Sequence, residues 1–336
     1  MRNRARHTLK RLLFCSAVVG TLTFAAGPVG AQATKTACDR ACLNGVMDGY
    51  VKAMAAHTPA AVPLATGAII RENTKAIALD ASAWQTIAAI KSITNFADPQ
   101  TGNIVSRVAA ETKDGKLAYI GTRLKVAGKR ITEIETSFND RAVAAANVLV
   151  YDPLFDTIVP AEKRGSRASL ERIVLAYFDA LGSHKPDPAD YDTRCDRFSS
   201  GTRVTRRGGG PGGRRGGPPA GPNGAPPPPG AAPPPAAGEG RGTRPPIDAD
   251  EAATNSAEIG CLESIQGNPP WLQAIEQRVP VVDTERGIAI GYTLLLYPND
   301  RAMLISEVFK VLDGRFRLID YIGIVDTGIK TTGFQK

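Results

Sequence analysis

The sequence predicts an α+β protein written twice, each half opening with a helix and running into an antiparallel meander. Two observations carry the duplication. "YVKAMAAHTP" (50–59) and "YFDALGSHKP" (177–186) share Tyr, Ala, His and Pro at matching places, an offset of 127. Further on, "DPQTG" (98–102) lies over "DTERG" (283–287), and that offset of 185 runs without a gap to Glu135 and Asp320. The two offsets differ by 58 residues, about the length of a Gly/Pro-rich insertion in the second half.

Residues 1–33 read as a cleaved signal peptide: Arg2, Arg4, Arg6, Lys10 and Arg11, an apolar stretch Leu12–Ala26, and the small-residue site Ala31-Gln32-Ala33. The apolar run is too short to span a bilayer well, and no partner follows it, so no stable membrane anchor is expected. The expected setting is the periplasm or the exterior. Copy one is assigned to 34–146. Cys38, Cys42, Leu43, Val46, Tyr50, Val51 and Met54 recur at helical spacing, with Thr36 as the N-cap. Strands follow at "NIVSRVAAET", "KLAYIGTRLKV" and "RITEIETSF", joined by turns. A linker covers 147–165. Copy two, 166–328, repeats the plan with Leu170, Ile173, Val174, Tyr177 and Leu181 on one helix face, then "IAIGYTLLLY", "AMLISEVFKV" and "RFRLIDYIGI". Residues 329–336 read as a tail.

Copy two carries the insertion 199–250, dominated by Gly, Pro, Ala and Arg. It has too few large apolar residues to offset its ordering entropy and is expected to be disordered. The formal net charge is +8, but the leader holds five of those charges and residues 199–246 a net six, so the remaining chain is mildly acidic. Clustered cations on the folded part are lacking, which argues against a nucleic-acid partner. Cys38, Cys42, Cys195 and Cys261 remain after cleavage, and an even number in an oxidising compartment points to disulfides. Cys195 and Cys261 bracket the insertion and are expected to pair. Whether Cys38 and Cys42 pair or stay reduced is left open. A metal site is not expected, for want of CxxC spacing and nearby histidines.

Several stretches, "CLNGVMDGYVKAMAAHTP", "IIRENTKAIAL", "AWQTIAAI", "FADPQTG" and "RLKVAGKRITEIET", with "RGSRASLERIVLAYFDAL" and "CDRFSSGTRVT" in copy two, resemble a family of secreted fungal and bacterial proteins of unassigned function. The helix-then-meander plan resembles the nuclear transport factor 2-like cone shared with SnoaL-type polyketide cyclases. That resemblance implies two tandem cones, each with N-terminal helices on a curved antiparallel sheet, paired as a pseudo-dimer within one chain. It implies an extracytoplasmic setting and no defined reaction. The family would carry Glu-Asn-Gly where this chain has Glu72-Asn73-Thr74 and Ser199-Ser200-Gly201.

Cones enclose an apolar cavity with a few polar groups, the usual place for a small-molecule ligand. Strand alternation puts Ile131, Glu133 and Glu135 on one face, matching Phe316, Leu318, Asp320 and Ile322 in copy two. Glu133 and Glu135 are therefore the expected acid–base pair, with Arg123 on the neighbouring strand. Glu72, Asn73, Trp84, Tyr50 and Asp48 are the expected ligand-binding set. Glu307 is a second inward carboxylate, for which a surface ion pair is the blander reading. Asp98 and Asp283 precede Gly in turns, and His57 and His184 close helices, so all four read as structural. There is no GxSxG, P-loop, HExxH or GxGxxG after a strand, so no cofactor and no metal are expected. The sequence thus points to an exported small-molecule enzyme with a copy-one site and lyase-, isomerase- or hydrolase-type chemistry. The alternative is a non-catalytic ligand-binding or structural tandem protein.

Overall fold

The computed structural model describes residues 38–139, 152–200, 202–205, 260–269 and 271–334, all within one compact unit, Thr36–Lys336. The expected signal peptide (1–33) and most of the expected insertion (199–250) lie outside the described residues. Helix α1 (Arg40–Ala55) starts after Asp39, not Thr36: the Asp39 carboxylate accepts from Cys42 N at 2.8 Å. Its counterpart α3 (Arg167–Ser183) is capped by Ser166, which accepts from Ser169 N at 3.1 Å. The helical spacing read from sequence is real in both. Leu43, Met47, Tyr50, Val51 and Met54 are buried on α1, and Leu170, Ile173, Val174, Tyr177 and Leu181 on α3. Each such side chain contributes roughly 1.5–3 kcal/mol of apolar burial.

The architecture corrects the expected fold class. Instead of α+β cones with helices on a curved antiparallel sheet, the protein is mostly β, with two mixed six-stranded sheets and few helices. The first sheet holds β1 (Leu64–Glu72), β2 (Lys75–Ala76), β3 (Ile87–Asp98), β4 (Asn103–Thr112), β5 (Leu117–Ala127) and β6 (Arg130–Asn139), in the order β2-β1-β6-β5-β4-β3. The second holds β7 (Tyr191–Ser199), β8 (Thr202–Arg203), β9 (Gln273–Asp283), β10 (Ile288–Tyr297), β11 (Arg301–Leu312) and β12 (Arg315–Thr327), in the order β8-β7-β12-β11-β10-β9. The sheets are mixed because β1 pairs parallel with β6, and β7 with β12. Only β4–β6 and β10–β12 announce themselves by apolar alternation. Strand β1, "LATGAIIRE", carries a glycine and two charges, and β7, "YDTRCDRFS", is mainly polar, so neither reads as a strand alone. The short helices α2 (Ala83–Thr86) and α4 (Cys261–Gln266) sit beside them. No helix among the described residues is long and apolar enough to cross a membrane.

The repeat extends to the aspartates of its turns and the arginines that open its helices. Asp98 accepts from Gln100 N in its turn, and Asp283 does the same with Glu285 N, each at 3.1 Å. Each aspartate also binds the arginine that opens the other half's helix. Arg40 of α1 reaches Asp283 at 2.6 Å, and Arg167 of α3 grips both oxygens of Asp98 at 2.7 Å. These reciprocal pairs have the form of a symmetric interface. Between them the sheets bury Phe96, Val105, Phe155, Val281, Ile290, Val308 and Leu318. Phe155, from the expected linker, packs edge-on to Phe96.

Two disulfides are formed. Cys38–Cys42 ties the first turn of α1, and Cys195–Cys261 joins β7 to α4 across a separation of 66 residues.

Candidate functional site

Each sheet has a helix-covered side and a side facing the other sheet. One residue of irregularity decides which side a carboxylate takes. Between β5 and β6 the register slips after Lys125–Glu133, and between β11 and β12 it slips after Lys310–Leu318. Such a slip inverts the alternation beyond it. Ile131 therefore joins the core under α1 and Phe316 the core under α3, while Leu318 and Ile322 pack between the sheets. The single face expected for Ile131, Glu133 and Glu135 does not exist: both glutamates point away from the helix.

The structure brings Arg123, Glu133 and Glu135 together on that inter-sheet side. Buried Arg123 donates from Nε to Glu135 Oε2 at 2.8 Å, from Nη2 to Glu133 Oε2 at 2.7 Å and from Nη1 to Asn103 Oδ1 at 2.9 Å. Glu135 receives a second guanidinium, that of Arg278 on β9, at its Oε1. Glu133 is about one-third exposed, whereas Glu135 is enclosed. Arginines thus engage both oxygens of Glu135, one from each half of the chain. Asp320, the copy-two position of Glu135, accepts instead from Tyr119 Oη at 3.0 Å.

Under α1, Tyr50 and Trp84 meet edge to face at 5.5 Å, and the indole N–H donates to Tyr50 Oη at 3.2 Å. Burial pushes the Tyr50 phenol up to about 12. Glu72 is buried beside them and accepts from Ala83 N at 3.3 Å. Asn73 sits at φ +48°, where its amide exchanges two hydrogen bonds with the Phe138 backbone. It fixes the end of β6. Asp48 lies apart, at the surface, accepting from Asn95 Nδ2 at 2.7 Å. His57 donates from Nδ1 to the Trp84 carbonyl at 2.6 Å, which pins α2 to the end of α1. His184 sits in the left-handed region at the end of α3, and its ring nitrogens have no partner among the described residues.

Under α3 lies a different set. Glu307 on β11, fully buried rather than paired at the surface, accepts from Tyr177 Oη through Oε1 at 2.7 Å. Arg197 Nε stands 3.7 Å from the same oxygen, and Oε2 has no partner among the described residues. Burial is the main cause of a carboxyl pushed up to about 7; Asp320 adds to it, while Arg197 and Tyr177 oppose it. Tyr177 also packs against Phe309 and Phe316, with ring centres 4.9 and 5.5 Å away, and Tyr191 packs on Phe316. The Arg197 guanidinium stacks on Tyr321 at 4.6 Å, and both residues are buried. Gly291 makes the close fit: a Cβ there would lie 2.5 Å from the Phe178 ring.

Alternation on β11 places Glu307 in line with Ile305 and Phe309, so this residue is readable in the sequence. Arg197 and Arg278 are not, because β7 and β9 carry no clear strand pattern.

Comparison with known proteins adds little chemistry. Residues 163–323, the second copy, match the family model described as Domain of unknown function (DUF8021). No curated protein matches. A solved structure described as "Crystal structure of known function protein from Kribbella flavida DSM 17836" aligns with 29% of this chain and 86% of its own, at 18% identity and a TM-score of 0.25. A likeness that slight carries no argument. Neither finding names a nuclear transport factor 2-like family.

Proposed function

We propose that this is an exported protein that performs cofactor-free acid–base chemistry on a small molecule, with Glu307 as the proton-transferring group. The observation that carries the reading is geometric: a fully buried carboxyl with one oxygen held by Tyr177 and the other unengaged among the described residues. An enclosed carboxyl of this kind can hold a proton near neutrality and pass it to, or take it from, a bound oxygen or carbon. Arg197, 3.7 Å from Glu307 Oε1, would steady a developing negative charge. Elimination, isomerisation and hydrolysis all fit one carboxyl, one phenol and one guanidinium. Glu133 and Glu135 suit this role less well, because arginines already occupy them. Export is supported by the leader sequence and by the two disulfides.

A screen of small molecules by thermal shift, with product analysis of every hit, tests the reading. Glu307→Gln keeps the shape and removes the titrating proton. It should lower turnover of a hit by at least ~100-fold with little change in Tm. Full turnover in Glu307→Gln, with loss in Glu133→Gln or Glu135→Gln, would move the site to copy one.

A structural role is the second reading, favoured by the reciprocal Arg40–Asp283 and Arg167–Asp98 pairs that bind the halves together. Under it, the screen yields no hits and Glu307→Gln is silent.

A further inference from the structure

Residues 329–336 were expected to be a tail, yet Ile329, Thr332 and Phe334 are buried. Gly328 donates its N–H to Asp300 O at 3.0 Å and turns the chain. Ile329 is then buried with Leu294, Ala302 and Leu304 of the second sheet. Glu276 on β9 accepts from Thr332 N at 2.6 Å and from Thr331 Oγ1 at 2.9 Å. From there the chain crosses to the first half. Gly333, at φ +79°, lies against the Arg71 side chain of β1, and a Cβ at Gly333 would stand 2.7 Å from Arg71 Cδ. Phe334 ends the crossing with its ring centre 4.7 Å from the Arg123 guanidinium and 5.7 Å from that of Arg278. Both arginines are more than nine-tenths buried, and both hold Glu135.

We propose that Ile329–Phe334 is a latch. It spans the two halves and closes the Arg123–Glu135–Arg278 cluster to water, with Phe334 as the seal. The reasoning rests on what the cluster requires. Its charges come from both halves, Arg123 and Glu135 from the first sheet and Arg278 from the second. Their attraction is strong only where water is excluded, and an aromatic face over a desolvated guanidinium adds to it. Phe334 supplies that face to both arginines at once. An aliphatic side chain would exclude water without the ring's negative face, so the latch is specific to an aromatic residue. Release of the segment wets the cluster and weakens the tie between the halves, while each helix-covered core stays intact. The latch is independent of any chemistry at Glu307, which lies on the opposite side of the second sheet.

The test compares the mature chain with one ending at Gly328, with Phe334→Ala, and with Phe334→Tyr. Thermal unfolding is followed from 0.05 to 1 M NaCl, and hydrogen exchange is read on β5, β6 and β9. A sealed ion cluster is screened little by salt, whereas a wetted one is screened strongly. The mature chain should unfold at a Tm nearly independent of salt. The truncated chain and Phe334→Ala should unfold several degrees lower, with a Tm that falls further as salt rises. Exchange should quicken on β5, β6 and β9 and stay unchanged on α1 and α3. Phe334→Tyr should restore the mature behaviour. If truncation prevents folding, the two point variants decide the matter. Salt-independent melting of Phe334→Ala at the mature Tm, or faster exchange spread evenly over both halves, would overturn the latch.

Discussion

Tyr50 and Tyr177 hold matching places on α1 and α3, yet they meet different partners. Tyr50 takes a hydrogen bond from Trp84, beside Thr122 and Thr136, which contact each other at 3.3 Å. Tyr177 gives one to Glu307, the copy-two position of Thr122. The buried carboxylate near Tyr50, Glu72, comes instead from β1 and receives a backbone N–H. Between the sheets the contrast reverses. Copy one presents Arg123 and Glu133 where copy two has Val308 and Leu318, so its charges are spent on holding the halves together. The copies thus differ in where a buried glutamate sits: Glu135 is clamped by arginines between the sheets, whereas Glu307 meets Tyr177 under α3.

The strongest way to break this comparison is Glu135→Ala. It leaves Arg123 and Arg278 buried without their shared partner and should destabilise by about 3–5 kcal/mol in chemical denaturation. Glu133→Gln, at the exposed edge of the same cluster, should cost about 1 kcal/mol or less. If Glu135→Ala cost no more than Glu133→Gln, the carboxylate would be free for chemistry and the contrast between the copies would fail.

The disulfides provide a second contrast. Opening Cys195–Cys261 by Ser substitution of both residues should cost roughly 4 kcal/mol from loop-closure entropy, and opening Cys38–Cys42 about 2 kcal/mol. Equal losses would show that loop length does not set what the two bridges contribute. The tyrosines sharpen the comparison next. Tyr177→Phe and Tyr50→Phe should each cost about 1 kcal/mol for a lost buried hydrogen bond. Only Tyr177→Phe should move the pH midpoint of stability, and upward, because the phenol favours the ionised form of Glu307. Smallest of all, a short Gly/Ser linker in place of residues 209–246 should change stability by less than about 1 kcal/mol, since loop entropy varies slowly with length.

Much of this scaffold is legible in the sequence. The helical faces of Leu43–Met54 and Leu170–Leu181, the turns at Asp98 and Asp283, and the pairing of Cys195 with Cys261 all follow from periodicity, repeat offset and spacing. The polar strands β1 and β7 do not. Their place is set by parallel pairing with β6 and β12, a long-range contact that no local pattern announces. The register slips hide the orientation of Glu133 and Glu135, because simple alternation assumes an unbroken ladder. Glu307 was readable on β11, but its burial was not, since that depends on Tyr177 and Arg197 arriving from other elements.

The central claim is that Glu307 holds its proton near neutrality while the carboxylates of copy one are bound up in structure. Denaturant unfolding of the unsubstituted chain and of Glu307→Gln between pH 5 and pH 8 tests it most directly. The folded carboxyl lies at about 7, above its ordinary 4.5, so the native state binds the extra proton over this range. Stability contributed by that proton is present at low pH and is lost as pH rises through 7. Relative to Glu307→Gln, the unsubstituted chain should lose about 2–3 kcal/mol from pH 5 to pH 8. Parallel profiles for the two proteins would show that Glu307 titrates no differently when folded, and would contradict the account.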